Sequence, residues 1–160
     1  MTTITQLTNI YLNKEWWVKE EDKLPISVAN SYYDKLLNQG NILICEFKGQ
    51  VLGYVEVWKI NFEQFGRIVC HSKFCADGED ILNGNIGYVA NVWIDEPYRR
   101  SWVTKDLILK FYKFTHDCEY FVGMATRKRT QPIKVFKKSE LSSKLFKEGI
   151  YEYKSSINHN

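Results

Sequence analysis

Residues Gly87 to His116, GYVANVWIDEPYRRSWVTKDLILKFYKFTH, constrain the fold more than any other stretch of the chain. YVANVWI is nearly all apolar over a strand's length, which predicts a strand covered on both faces. Asp95-Glu96-Pro97 ends it, because proline has no N–H for a sheet ladder. After the basic pair Arg99-Arg100, Ser101 is placed to cap a helix that begins near Trp102 or Val103. Val103, Leu107, Phe111 and Phe114 form its inner stripe, widened by Ile108 and Tyr112. EYFVGMAT then reads as another strand. A strand–helix–strand unit of this kind predicts a mixed α/β sheet. The basic turn and helix start are also where a phosphate group would bind, since the first N–H groups of a helix lack intrahelical acceptors.

The flanks can be placed around this unit. Leu7, Ile10, Tyr11 and Trp17 recur at roughly helical spacing from Leu7 to Val18. Pro25 suits a first helical position, and Ala29, Tyr32, Tyr33, Leu36 and Leu37 give the second helix one apolar face, with Gly40 as its stop. Trp16 and Trp17 read as core rather than as the lining of a cleft. Ile42–Phe47 and Val51–Ile60 form a hairpin around Lys48-Gly49-Gln50, and Gly53 predicts a bulge or a close backbone approach. Between Asn61 and Asn85, GRIVCHSKF reads as a further strand and CADGEDILNGN as an acidic exposed loop. RKRTQPIKVFKKSEL reads as a basic loop entering a short helix at Pro132, and KLFKEGIYEYK as a last hairpin. Residues 155–160, SSINHN, read as a loose tail. No repeat or linker interrupts the 160 residues, so one domain is expected.

Composition removes several classes. An apolar share of 44% with 15% aromatics is too rich for disorder. A net charge of +3 with both signs mixed along the chain gives nucleic acid little support. No run approaches the ~20 apolar residues that cross a bilayer, and MTTITQLTN lacks a secretory pattern. A cytoplasmic product without membrane contact is expected. The four cysteines show no C-x-x-C and only three histidines could join them, so no metal site is expected. Cys45 and Cys118, beside apolar runs, read as structural thiols.

Three segments resemble the GNAT family of acyl-CoA-dependent N-acetyltransferases, and with the element order the resemblance covers about Tyr11 to Tyr153. ICEFKGQVLGYVEVW is similar to the family's second and third strands, with a glycine early in the third. VWIDEPYRRSWVTKDLI is similar to its fourth strand, phosphate loop and third helix, and PIKVFKK resembles its last helix. The resemblance implies an α/β fold with a mixed, mostly antiparallel twisted sheet flanked by helices. It implies acetyl-CoA as cofactor, lying between splayed fourth and fifth strands, with its pyrophosphate on backbone N–H groups at a helix start. The family's loop reads Arg or Gln, two residues, Gly, one residue, then Gly or Ala. Here Arg99 takes the first position, Trp102 and Thr104 the two glycine positions, and Leu107 the family's helix leucine. The implied cofactor contacts are Arg99, Arg100, Ser101, Trp102, Val103 and Thr104, with Val92 and Ile94 on the strand.

The reaction so implied is acetyl transfer to an amine, on a small molecule or a protein lysine, by direct attack on the thioester. Two residues motivate a second reading. Trp102 puts the largest side chain where the family has none. Phe136 stands where many members carry a tyrosine that protonates the leaving thiolate, and it has no proton to give. The second reading is a GNAT fold without catalysis, acting within a protein assembly such as a phage virion or as a host-targeting component. The Lys/Asn/Tyr-rich composition resembles phage-encoded chains of this type.

No catalytic residue is named by the sequence. Gly87, Tyr88, Ala90, Asn91 and Trp93 bring no carboxylate to the strand, and Asp95, Glu96, His71, Asp77, Glu79 and Asp80 read as solvated surface. Arg127, Lys128 and Arg129, with Lys134, Lys137 and Lys138, read first as a solvated helix face. A contact to the 3′-phosphate side of coenzyme A is the alternative, and nucleic acid ranks last for want of a recognition motif.

Overall fold

The computed structural model of the chain describes residues 1–15, 18–71, 84–123 and 134–137, without the side chains of 67–71 and 134–137. Helix α1 spans Ile4–Asn13 and opens on a reciprocal cap. The Gln6 N–H donates to Thr3 Oγ1 at 3.2 Å, and the Thr3 N–H donates to Gln6 Oε1 at 2.8 Å. The helix ends sooner than its apolar spacing predicts. Lys14 N–H and Glu15 N–H both return to the Ile10 carbonyl, at 2.8 and 3.2 Å, and this wide last turn stops the helix before Val18. Helix α2, Ile26–Gln39, follows Pro25 and stops at Gly40, whose φ of 72° is the left-handed conformation that closes a helix.

Strands β1 (Ile42–Phe47), β2 (Gln50–Ile60), β3 (Ile86–Ile94), β4 (Tyr120–Gly123) and β5 (Lys134–Lys137) form one sheet in the order β1-β2-β3-β4-β5. Every neighbouring pair is antiparallel except β3 and β4, which run parallel. Parallel neighbours need a crossover, and helix α4, Trp102–Phe114, supplies it. Leu7, Ile10, Tyr33 and Leu36 of α1 and α2 pack on one face of the sheet against Tyr54, Trp58, Ile86 and Trp93. Val103, Leu107 and Phe111 of α4 cover the other face against Leu52, Val55, Val57 and Ile94. The two ends of the apolar run of β3 are thus buried between the layers, while its middle, residues 89–92, is half-buried and departs from the expected full cover. Cys45 and Cys118 are buried thiols on the α4 face.

Two expectations fail. The described part of GRIVCHSKF, residues 66–71, is not a strand: it belongs to helix α3, Phe62–His71. Asn61 Oδ1 accepts the Gln64 N–H at 2.8 Å while Gln64 Oε1 accepts the Asn61 N–H at 2.9 Å, a capping pair that outweighs the β-branched Ile68 and Val69. PIKVFKK does not supply a helix over its described part either, because Lys134–Lys137 is β5, with Phe136 opposite Phe121. A β-branched and an aromatic residue suit that edge, and pairing satisfies the outer row of β4 backbone groups. The likeness of this segment to the family's last helix, the equivalence of Phe136 to its tyrosine, and the helix face containing Lys134 and Lys137 fall together. Trp16, Trp17, the acidic loop, Arg127–Arg129, the last hairpin and the tail lie outside the described residues.

Candidate functional site

The turn into α4 is built by backbone and side chain together. Arg99 is extended, at φ −64° and ψ 141°. Arg100 is left-handed at φ 58°, a conformation non-glycine residues seldom adopt. Ser101 then caps the helix, with Oγ accepting the Val103 N–H at 3.2 Å while its hydroxyl donates to the Tyr98 carbonyl. Arg99 Nε donates to the Ile94 carbonyl at 3.3 Å, tying the turn to the end of β3. Arg100 is exposed, and no acidic residue stands in the first turn.

The expected contacts separate into inward and outward groups. Val103 is in the core, together with Ile94, while Val92 is half-buried on the same face. Thr104 is 1% exposed, and its hydroxyl oxygen has no hydrogen-bond partner among the described residues. A buried hydroxyl without a partner is costly, so this oxygen invites a ligand or water. Trp102 turns away. It is 51% exposed and meets Phe47 of β1 edge to face, with ring centroids 6.0 Å apart. Since β1 lies two strands from β3, the indole sits on the far side of α4 from the β3–β4 boundary.

That boundary is paired over four rungs, from Ile86 opposite Tyr120 to Val89 opposite Gly123. Ala90–Ile94 continues beyond the last described rung. Residues 89–92 are half-buried, whereas both ends of β3 are buried.

A register shift marks the same place. Glu56 of β2 faces Asn91, but Val57 faces Val89, which leaves Ala90 as an inserted residue. One extra residue reverses which face later side chains take. Tyr88 before the bulge and Trp93 after it therefore both pack on the α1–α2 face. Asn91 is delivered to that face too.

There it joins two buried carboxylates that sequence reasoning did not find. Glu15, just past α1, is 1% exposed and Glu56 is 2% exposed. Asn91 Nδ2 donates to Glu15 Oε1 at 2.8 Å and to Glu56 Oε2 at 2.7 Å. The Tyr32 hydroxyl donates to Glu56 Oε1 at 2.6 Å, and the Tyr54 hydroxyl donates to Glu15 Oε1. Burial, reinforced by the Glu56 charge, pushes the Glu15 carboxyl up to about 8. Burial raises Glu56 as well, while its bonds from Tyr32 and Asn91 oppose the shift. Two carboxylates this close in low dielectric do not both ionise at neutral pH, so the pair retains a proton. Glu56 was legible in YVEVW, because it alternates with Tyr54 and Trp58 on inward positions. Glu15 carries no local signal of this kind.

The acidic groups weighed from the sequence stand elsewhere. Asp95 lies 3.9 Å from Lys14 Nζ, and Glu96 is exposed. The His71 side chain and Asp77, Glu79 and Asp80 lie outside the described residues. No helix among the described residues is long and apolar enough to cross a membrane.

Helices on both faces of a mixed sheet, with one parallel pair joined through α4, define the architecture of the GNAT N-acetyltransferases. Two solved structures share it. A ribosomal-protein-alanine N-acetyltransferase from Brucella melitensis matches with a TM-score of 0.50 at 13% identity, over 76% of this chain and 70% of that one. An N-acetyltransferase from Staphylococcus aureus Mu50 matches with a TM-score of 0.50 at 10% identity, over 76% of this chain and 68% of that one. No protein-family model and no curated protein sequence matches the chain. The chain has the GNAT fold; at such identities its chemistry must be argued from its own residues.

Proposed function

We propose that this protein is an acyl-CoA-dependent N-acetyltransferase acting on a primary amine. The observation that carries the reading is the start of α4, where a cationic approach, a capped helix N-terminus and a buried hydroxyl without a partner converge. A pyrophosphate matches all three, since the aligned first-turn N–H groups and the helix dipole favour an anion. The backbone N–H groups of Trp102 and Thr104 would hold it, Thr104 Oγ1 would donate to it, and Arg100 would add charge. Arg99, held against Ile94, positions the turn. Trp102 raises no steric objection, because its ring leans on Phe47.

Acetyl-CoA supplies the thioester whose acyl group passes to the amine. The half-buried residues 89–92 of β3 provide the edge along which the acyl arm would lie. The amine class remains broad, covering a small molecule, a lysine or a protein N-terminus. Isothermal titration with acetyl-CoA tests the reading. Binding is expected in the micromolar range and about tenfold weaker in Arg100→Glu, as befits loss of a charge-assisted phosphate contact. Absence of binding at millimolar cofactor would sink it.

A further inference from the structure

We propose that the Glu15–Glu56 pair, bridged by Asn91, takes the proton that the acceptor amine loses during acetyl transfer, with Tyr32 as the relay to the surface. The proposal rests on the acyltransferase reading and gives this chain the base that its β3 strand lacks.

Three features place the pair at the reaction rather than in passive core. The first is the inserted Ala90, which turns Asn91 onto the α1–α2 face so that one amide reaches both carboxylates. The second is location: Asn91 belongs to the half-buried stretch of β3 that begins at the last described β4 rung. The third is access. Glu56 is enclosed, and the hydroxyl of Tyr32, a half-buried residue of α2, donates to its Oε1 at 2.6 Å and is thus the group through which a proton would reach the carboxylate.

The transfer balances as follows. The amine nitrogen forms its bond to the thioester carbonyl carbon, the C–S bond breaks, and its electron pair leaves on sulfur as thiolate. The proton shed by nitrogen passes to the Tyr32 oxygen while the Tyr32 proton passes to Glu56 Oε1. Tyr32 ends neutral and Glu56 protonated. Release of that proton to water through the same hydroxyl restores the pair.

Other groups facing the carboxylates set their poise. Lys23, in the loop after α1, favours ionisation of Glu15. Tyr33 of α2, Tyr54 of β2 and Tyr88 of β3 are themselves held neutral, each raised by burial and by the nearby carboxylates. A carboxylate in such surroundings accepts a proton far more readily than one in water.

The test uses the full chain with acetyl-CoA and two probe amines, an alanyl peptide with a free N-terminus and spermidine. Glu56→Gln and Tyr32→Phe are each expected to lower kcat/KM about a hundredfold, with acetyl-CoA affinity unchanged. Tyr32→Phe covers the case in which the Gln variant does not fold, since it keeps the ring. Glu15, raised to about 8 by burial and by the Glu56 charge, keeps its proton while Glu56 accepts one. Glu15→Gln fixes that position neutral, so it is expected to keep turnover at neutral pH and to remove the inflection of the pH–rate profile near pH 8. A purely structural pair would leave that inflection unchanged. Wild-type turnover in Tyr32→Phe and in folded Glu56→Gln, or an unchanged inflection near pH 8 in Glu15→Gln, overturns this proposal alone. Failure of the wild type to bind acetyl-CoA, or to acetylate either probe, overturns the acyltransferase reading and this proposal with it.

Discussion

The Trp102 ring meets the Phe47 ring at 73° with centroids 6.0 Å apart, so the bulkiest side chain of the α4 turn is spent on the β1–β2 hairpin. Lys48 Nζ lies 5.4 Å from the Phe47 centroid on the same hairpin. An exposed aromatic pair of this geometry contributes about 0.5–1.5 kcal/mol. Trp102→Ala is therefore expected to lower stability by about 1 kcal/mol while leaving acetyl-CoA affinity within about twofold. Thermal melts and calorimetry on the same preparation check both. A tenfold gain in affinity would show instead that the indole occupies the cofactor's place.

The buried carboxyl pair predicts an unusual pH dependence of stability. Glu15 rises from the usual 4.5 to about 8 on folding, and Glu56 rises too. Below about 4.5 both folded and unfolded chains are protonated, and the contribution is fully present. Between there and about 8 the unfolded chain gives up the proton while the folded chain keeps it, so stability falls as pH rises. The total change is on the order of a few kcal/mol, since each unit is worth about 1.4 kcal/mol. Urea midpoints are expected to drop from pH 5 to pH 8, and to drop less in Glu15→Gln. A wild-type midpoint that rises over this range would contradict the shared-proton state.

How far the chain was legible depended on where the deciding interaction lay. The β3–turn–α4 unit was readable because its apolar run, its Ser101 cap and its 3.6-residue stripe all act within one segment. The Arg100 turn was readable as cationic, but the direction of Trp102 was not, because Phe47 lies more than fifty positions away. The buried pair was hidden for a similar reason. Glu15 and Glu56 meet only through tertiary structure, and Asn91 reaches them only through an inserted residue whose effect needs the β2 register. The errors at α3 and β5 were local competitions. In one, the Asn61–Gln64 cap overrode strand-like residues. In the other, an open β4 edge drew in a segment whose proline had suggested a helix start.

The cap that decides α3 can be measured directly. Asn61→Ala removes the acceptor of the Gln64 N–H and should cost about 1 kcal/mol. The loss is expected to fall on α3 first, so amide exchange should quicken at Phe65 and Gly66 while α4 amides keep their rates. Asn61→Asp keeps an acceptor at the helix start and should restore protection. Equal acceleration in both helices would mean that α3 has no independent boundary at Asn61.

Gly53 tests how tightly α4 is seated on the sheet. It lies opposite Cys45 in β1, beside the register shift that follows Cys45, and opposite Ile94 in β3. A Cβ placed there would stand 3.0 Å from Leu107 Cδ1 and 3.0 Å from the Trp93 carbonyl oxygen. The leucine tip can rotate away, but the carbonyl is held in the β3 backbone. Gly53→Ala is thus expected to cost about 1–3 kcal/mol through overpacking. Adding Leu107→Val should recover only part of that cost, because it relieves one contact of the three, Ile94 Cγ1 standing 3.3 Å from the added carbon as well. A double-variant cycle from urea midpoints measures the coupling. Full recovery in the double variant would show that the strand backbone yields and that the leucine alone sets the limit.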